Sequence, residues 1–206
     1  RAAQSALIAD CAANGTVLIA DEIYHGITYG AEAVSALELT DDVIVVNSFS
    51  KYHAMTGWRI GWMVVPAGFE RPLANLAQNL FICPSHPSQI AALGALSAEG
   101  EAEAAGHLTD YRTNRETVLA ALTTLGFRDI APADGAFYAY ATLPEGWEDS
   151  MAFSKRLLAE HHVAATPGFD FDPIRGGRTM RFSYAQAPSV ITEAMTRLGA
   201  FLAKGP

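Results

Sequence analysis

The sequence predicts a two-part protein, in which an α/β unit is followed by a second, smaller α+β unit. In residues 1–105, short apolar runs that lack polar alternation predict strands buried on both faces, and helix-patterned segments separate them. In residues 106–206, short strands alternate with amphipathic helices, a pattern typical of an α+β unit. A long helix at 101–125, which Gly126 is expected to end, leads from the first part into the second.

Each element follows from the spacing of its apolar residues. The first part is expected to contain a helix at 1–14, strands at 16–20, 43–47 and 60–65, a loop or short helix at 31–42, and helices at 67–81 and 87–99. Cys83-Pro84 separates the last two helices, because proline lacks the backbone N–H that a helix interior needs. The second part is expected to contain strands at 127–131, 136–143, 163–166 and 179–185 and helices at 150–160 and 190–204.

Composition and charge narrow the class of protein. Half of the residues are apolar, which is ample for a core, and the net charge of −8 argues against nucleic acid or an anionic membrane as the main partner. Cys11 and Cys83 lie in apolar contexts without metal-ligand spacing, which predicts reduced, buried thiols and no metal site. No apolar run approaches the roughly 18–20 residues of a membrane span, and the opening residues lack signal-peptide features. We expect a cytoplasmic protein.

Lys51 lies in a polar turn between two apolar runs, Ile44–Val46 and Ile60–Val65, which predict buried strands. The chain has only three lysines against eleven arginines, so arginine is its ordinary surface cation. An ammonium at the end of a buried strand loses hydration, which favours the neutral amine that forms a Schiff base with an aldehyde cofactor. An ordinary surface lysine is the alternative interpretation.

Upstream, the stretch VLIADEIYHGITYG (17–30) places an acid and a phenol at the end of another apolar strand. Asp21 follows that strand directly, and in parallel α/β sheets ligands bind at the carboxyl ends of the strands. Tyr24 comes three residues later. Alternatively, Asp21 only caps the following turn, and Tyr24 is a half-buried loop residue.

Together, the patterns Asp-x-x-Tyr (21–24), Ser-x-Ser-Lys (48–51) and Gly-x-Arg-x-Gly (57–61) resemble the class I/II aminotransferases, which are fold-type I enzymes dependent on pyridoxal 5'-phosphate (PLP). The resemblance runs along the whole chain but corresponds to the later part of such an enzyme. It implies that residues 1–105 are the remainder of a mostly parallel-sheet, PLP-binding large domain, and that residues 106–206 are an α+β C-terminal small domain.

The same resemblance implies a homodimer, and it sets an expectation about the start of the chain. Residue 1 is Arg and the opening residues are helix-patterned, so we expect the sequence to begin in mid-protein, with the N-terminal half that contacts the cofactor either absent or outside this sequence. A large exposed apolar surface is then expected on the isolated chain.

The resemblance assigns PLP as the cofactor, bonded to Lys51. Asp21 matches the carboxylate that holds the pyridine nitrogen protonated, and Tyr24 matches the tyrosine that hydrogen-bonds the phenolic oxygen. Ser48 and Arg59 match the phosphate contacts, three residues before and eight residues after the lysine. Ser50 is a further phosphate candidate, although it is adjacent to Lys51 and is alternatively only turn-forming.

For the substrate, Arg181 in TMRFSYA (179–185) matches the arginine that binds the α-carboxylate, and a guanidinium fork suits that group. The alternative is a strand arginine paired with an internal acid. The segment AATPGFDF (164–171) resembles a Thr-Pro-Gly segment that bends toward the active site. Arg175 and Arg178 are expected to be solvated loop charges.

The implied function is an aminotransferase that moves an amino group between an amino acid and a 2-oxo acid, with the Lys51 amine transferring the Cα proton. Three alternatives stay open. One is another PLP reaction on the same fold, such as C–S or β-elimination; the second is a non-catalytic PLP-sensing domain; the third is an inactive fragment. The motifs serve the cofactor and the carboxylate, so they distinguish neither these reactions nor the substrate amino acid.

Overall fold

The computed structural model describes residues 1–30 and 33–206, which divide into two compact units, Arg1–Ala105 and Gly106–Pro206. Ala31 and Glu32, at the start of the predicted loop at 31–42, lie outside the described residues. The later part of that loop forms a short 3-10 helix, Ala36–Glu38, whose first turn is closed by hydrogen bonds between Ser35 and Glu38.

The first unit contains a three-stranded sheet with helices before and after it. Its helices are α1 (Ala2–Ala13), α2 (Glu70–Leu80) and α3 (His86–Ala95), and α4 (Ala98–Thr124) begins in this unit and continues into the second. The strands β1 (Ile19–Asp21), β2 (Ile44–Ser48) and β3 (Gly61–Val64) lie in the order β1-β2-β3. β1 pairs parallel with β2, whereas β3 pairs antiparallel with β2, as a short connection between neighbouring strands permits.

Two small clusters of buried apolar residues lie in the described part of the first unit. Ala36, Val43 and Val45 are buried together, with Leu18 and Ala20 packed against them. A second cluster joins the segment that follows β2 to helix α3, because Phe49 and Met55 pack on Ala92. This second cluster anchors the turn that carries Lys51.

The predicted burial of two strands is wrong. The predicted strand at 16–20 is β1, three residues long, in which Ile19 is 62% exposed, and Val17 just before it is 59% exposed. The strand predicted as a buried run at 60–65 is β3, exposed at every position. An apolar run indicates that a strand is favoured but not which elements cover it. In the described residues, Ala20 of β1 and Trp62 of β3 have packing partners, but most of the other side chains stay exposed.

The expected exposed apolar surface is present on the first unit. Neither α1 nor α2 has a buried residue. Large apolar side chains more than half exposed in this unit are Leu7, Val17, Ile19, Met63, Leu76, Leu80, Phe81, Ile82, Ile90, Leu93 and Leu96. The thiols also differ from the prediction: both cysteines are free, but Cys11 is only half-buried and Cys83 is exposed, because each lies on this surface.

The second unit is an antiparallel sheet packed against helices. Strands β4 (Tyr138–Thr142), β5 (Thr166–Pro167) and β6 (Thr179–Ser183) lie in the order β4-β6-β5, and the helices are the later part of α4, α5 (Ser150–His161) and α6 (Pro188–Leu202). One face of the sheet is buried against the helices, through Ala139, Ala141, Met180, Phe182, Phe153, Leu157, Leu198 and Phe201. The opposite face carries Tyr140 and Arg181, which lie opposite each other in the β4–β6 ladder.

The end of α4 confirms one prediction and corrects another. Gly126 has φ +82°, and the N–H groups of Gly126 and Phe127 donate to the carbonyls of Thr123 and Leu122, which closes the helix as a Schellman motif. The strand predicted at 127–131 is absent; only the isolated bridge between Arg128 and Thr142 forms. Asp129, with φ +47°, interrupts the extended backbone there.

No helix in the described residues combines the length and apolarity that crossing a membrane requires.

Candidate functional site

Asp21 is the last residue of β1, and Tyr24 lies on the loop that leaves this carboxyl end. The N–H of Glu22 donates to the carbonyl of Val46 at 2.9 Å, which continues the β1–β2 pairing by one residue. The exposed carboxylate of Asp21 accepts from the N–H of Ile23 at 3.1 Å, so Asp21 does cap the turn. This contact orders the carboxylate at the sheet edge and is compatible with a ligand role.

Glu22 holds this loop in place through its side-chain contacts, and its sequence pattern did not indicate this role. Its side chain is buried, and its carboxylate accepts from the hydroxyl of Ser35 at 3.1 Å and from the N–H of Ala36 at 2.7 Å. The other oxygen lies 3.2 Å from Nδ1 of His25. An acid next to a strand end gives no sequence signal for burial, because acids are mostly exposed unless such partners are available.

Ser48 and Ser50 form a hydroxyl pair at the carboxyl end of β2, where Ser48 is the last residue of the strand. Oγ of Ser48 lies 2.9 Å from Oγ of Ser50 and 3.1 Å from the carbonyl of Ile60, and it accepts from the N–H of Ser50 at 3.0 Å. The carbonyl of Ile60 also accepts from the N–H of Phe49. The backbone of the turn that joins β2 to β3 therefore holds the Ser48 hydroxyl in place, and Ser48 in turn bonds the hydroxyl of Ser50.

Arg59 lies near the end of this turn and hydrogen-bonds to its backbone. Its Nη1 donates to the carbonyl of Thr56 at 2.7 Å, and the hydroxyl of Thr56 donates to the carbonyl of Ser50 at 2.6 Å. Arg59 and Ala54 both adopt left-handed backbone, with φ +51° and +53°, which costs about 1–2 kcal/mol per non-glycine residue. The guanidinium of Arg59 is exposed and pairs with no acid among residues 1–30 and 33–206.

Lys51 lies within the same turn, which is closed by hydrogen bonds from the N–H of Ala54 to its carbonyl and from Met55 to Phe49. Its side chain is half-buried, and its amine nitrogen lies 5.6 Å from the centre of the Tyr24 ring. The two loops meet because β1 and β2 are parallel neighbours, so their carboxyl ends share one edge of the sheet.

Six of the seven predicted site residues thus belong to the first unit, on two loops that leave this edge; they are Asp21, Tyr24, Ser48, Ser50, Lys51 and Arg59. Arg181 belongs to the second unit.

Arg181 is clamped between two aromatic rings. Its guanidinium carbon lies 4.2 Å from the ring centre of Tyr138 and 4.1 Å from that of Phe171. Its Nε is buried without a hydrogen-bond partner, and the group forms no ion pair within the described part of the chain. No acid among the described residues pairs with Arg181, so the structure does not support the alternative of an internal acid partner. Rings on both faces leave the planar edge of N–H groups as its binding surface.

Phe171 was not identified from the sequence as a neighbour of Arg181, although it ends the Thr-Pro-Gly segment that was singled out. Arg175 and Arg178 behave as expected of surface charges. They pair with Asp172 and Glu148 at 2.8 and 2.9 Å, and both arginine side chains are at least half exposed. The backbone N–H of Arg175, followed by its guanidinium, holds the pKa of Asp172 below its ordinary value.

Comparison with known proteins identifies the family. The family model described as "Aminotransferase class I and II" matches residues 2–198. The chain belongs to the class I and II aminotransferase family. A relative named as valine–pyruvate aminotransferase, from Mycobacterium tuberculosis, is 46% identical over 96% of this chain and 52% of its own length.

Solved structures of this family share the fold. A crystal structure from Silicibacter pomeroyi superposes with a TM-score of 0.94 at 52% identity, over 99% of this chain and 55% of that one. An aminotransferase from Mycobacterium tuberculosis superposes with a TM-score of 0.93 at 45% identity, over 98% of this chain and 52% of that one. The chain thus spans about half the length of the aminotransferases that it matches. The predictions of the family and of fold type I are confirmed.

Proposed function

We propose that the protein is a PLP-dependent aminotransferase that moves an amino group between an amino acid and a 2-oxo acid. The observation that carries this proposal is the meeting of the Lys51 turn and the Tyr24 loop at the carboxyl edge of β1 and β2. In this proposal Arg1–Ala105 is the remainder of the PLP-binding large domain and Gly106–Pro206 is the small domain.

We further propose a cytoplasmic homodimer. The free thiols of Cys11 and Cys83 support a reducing compartment. The exposed apolar side chains of the first unit support association with further polypeptide, because monomeric proteins rarely expose large apolar patches.

The residues present fit PLP group by group. The hydroxyl pair of Ser48 and Ser50 and the guanidinium of Arg59 offer donors to a phosphate, and Arg59 has no acid within the described residues to compete for it. The carboxylate of Asp21 suits a protonated pyridine nitrogen, the phenol of Tyr24 suits the cofactor's phenolic oxygen, and the amine of Lys51 suits its aldehyde carbon.

Each side chain then has a defined task. When bound, PLP supplies an electron sink for the pair left on the α-carbon when its proton departs. Nζ of Lys51 takes that proton and later returns one, Asp21 keeps the pyridine nitrogen protonated, and Tyr24 donates to the phenolic oxygen. Ser48, Ser50 and Arg59 anchor the phosphate, and Arg181 binds the α-carboxylate of the substrate with its planar N–H edge.

The relatives indicate which reaction and substrates to test first. Their names are those of aminotransferases, which favours amino transfer over elimination. Since the relative from Mycobacterium tuberculosis is named for valine and pyruvate, these two compounds are the first pair to test.

The test is formation of alanine from pyruvate in the presence of valine and PLP. We expect activity in the unsubstituted protein and in the Lys155→Ala control, since Lys155 is an exposed residue of α5, and none in Lys51→Ala. Full activity in Lys51→Ala would contradict the proposal. Release of ammonia and pyruvate from cysteine, without any amino transfer, would contradict it in favour of elimination.

A further inference from the structure

Tyr52 packs directly on the backbone of Gly26. Gly26 has φ +90°, and a β-carbon placed on it would lie 2.8 Å from Cδ2 and 3.0 Å from Cγ of Tyr52. Both the backbone conformation and the ring therefore exclude any larger residue at position 26. Such close approach means that the Tyr52 ring rests on a surface that only glycine provides.

Two further groups lie against Tyr52. Its ring meets that of His53 edge-on, with centres 5.0 Å apart, and the carboxylate of Glu101, in the first turn of α4, lies near its hydroxyl. Burial, and then the negative charge of Glu101, raises the pKa of Tyr52 above its ordinary value.

The contact between Tyr52 and Gly26 connects the two loops of the site. Tyr52 directly follows Lys51, and Gly26 comes two residues after Tyr24. The regular β1–β2 pairing ends at Asp21 and Val46, five positions before Lys51, so the sheet ladder includes Asp21 but reaches neither Lys51 nor Tyr24. Beyond that ladder, Tyr52 and Gly26 form a direct contact between the Lys51 turn and the Tyr24 loop.

We propose that Tyr52 is a positioning residue, whose ring, seated on Gly26, holds the amine of Lys51 against the loop that carries Asp21 and Tyr24. The proposal concerns the same site as the proposed function and rests on it for the role of Lys51. Tyr52 acts only through Lys51 and Tyr24, and it takes no part in bonding to the cofactor.

The first experiment measures the position of Lys51 without any cofactor. Limiting acetic anhydride labels the three lysines, and peptide mass spectrometry gives the labelling rate of Lys51 relative to the exposed Lys155 and Lys204, which serve as internal controls. We expect Tyr52→Ala to change this relative rate by about twofold or more, the size of effect that contacting residues exert on one another. Tyr52→Phe, which keeps the ring, is expected to match the unsubstituted protein.

The second experiment measures PLP affinity by absorbance titration in the same variants. Tyr52→Ala is expected to weaken binding by roughly tenfold, since small displacements of a reacting group are costly, and Tyr52→Phe is expected to restore it. Gly26→Ala is expected to weaken binding as well. In the double variant Gly26→Ala/Tyr52→Ala the losses are expected to be less than additive, because the ring that clashes with the added β-carbon is gone.

The outcomes separate this inference from the proposed function. Unchanged Lys51 labelling in Tyr52→Ala, or strictly additive effects in the double variant, would overturn the role of Tyr52. Absence of PLP binding in the unsubstituted protein would overturn the proposed function, and lysine labelling would still decide whether Tyr52 positions Lys51. If circular dichroism shows that Tyr52→Ala is unfolded, Tyr52→Leu, which retains apolar bulk without the flat ring, replaces it in both measurements.

Discussion

The amine nitrogen of Lys51 lies 5.6 Å from the centre of the Tyr24 ring. Each residue comes three positions after the end of its strand, Lys51 after β2 and Tyr24 after β1. Because these strands are parallel neighbours, their loops leave the same edge of the sheet. The fold thereby brings an amine and a phenol together, and the proposed function needs this pair.

Arg59 is expected to select for the phosphate of the cofactor. Arg59→Ala should weaken PLP binding by about tenfold or more, since a hydrogen bond to a charged group contributes roughly 1.5–3 kcal/mol. Pyridoxal, which lacks the phosphate, should bind the variant and the unsubstituted protein equally well. Arg71→Ala, at an exposed position of α2, is the matched control. Equal losses for PLP and pyridoxal in absorbance titrations would show that Arg59 acts on the fold instead.

Arg181 is expected to determine substrate affinity. Arg181→Lys keeps the positive charge but loses the planar fork and its stacking between Tyr138 and Phe171. The KM for the amino acid should rise by about tenfold or more, with a smaller change in kcat, because two charge-assisted hydrogen bonds become one. Arg178→Lys, at a half-exposed position paired with Glu148, is the control. Steady-state kinetics with an unchanged KM in Arg181→Lys would be incompatible with this role.

Gly61 is required for the pairing of β3 with β2. A β-carbon at Gly61 would lie 2.6 Å from the carbonyl oxygen of Asn47, so Gly61→Ala must push the strands apart next to Ser48. We expect a loss of about 1–3 kcal/mol in the free energy of unfolding, the usual cost of overpacking. Gly57→Ala is the control, because nothing lies within 4 Å of its added carbon. Urea unfolding with equal midpoints for the two variants would refute this prediction.

We expect the free energy of unfolding to depend on pH through the ionisation of Tyr111. Burial, and secondarily the charge of Asp110, raises the pKa of Tyr111 above its ordinary value of 10.0. Below that value the phenol is neutral in both states, so its contribution to stability is complete. As the pH rises further, the unfolded chain ionises first and stability falls.

Urea midpoints measured at about pH 9 and about pH 11, on either side of the ordinary tyrosine pKa, test this. The midpoint should drop at the higher pH, and it should drop less in Tyr111→Phe than in the unsubstituted chain. The comparison between the two proteins removes the contribution of other groups that titrate in this range. Parallel declines would mean that the surroundings of Tyr111 do not penalise its ionisation.

The sequence predicted the strand, turn and strand around Lys51 because each depends on neighbouring residues. Apolar runs, the polar turn and the proline break are local signals, and α3 and α4 follow from spacing within about four turns of helix. Gly126 was identified for the same reason, since a helix end and its left-handed glycine lie next to each other.

Burial was harder to predict than element type, as Ile19 and Met63 illustrate. Both lie in apolar strands, and both are more than half exposed, because burial depends on the elements that cover a strand rather than on the strand itself. The partners of Arg181 were missed for a related reason. Phe171 contacts it from ten residues upstream through a turn whose path no local pattern specifies.

The contact between Tyr52 and Gly26 also could not be predicted from the sequence. It joins positions 26 residues apart on two loops, and neither residue is unusual in its local pattern. The residue types at the candidate site were identified from their spacing, whereas the groups that support them, Glu22, Tyr52 and Thr56, required the structure.

The most direct test of whether Lys51 bonds PLP is borohydride reduction of the protein with PLP, followed by peptide mapping. Reduction makes permanent any bond between a lysine nitrogen and the PLP aldehyde carbon, and the chain offers only three lysines. We expect a single labelled peptide, the one that contains Lys51. Label distributed over Lys155 and Lys204, or no stable label at all, would contradict this expectation.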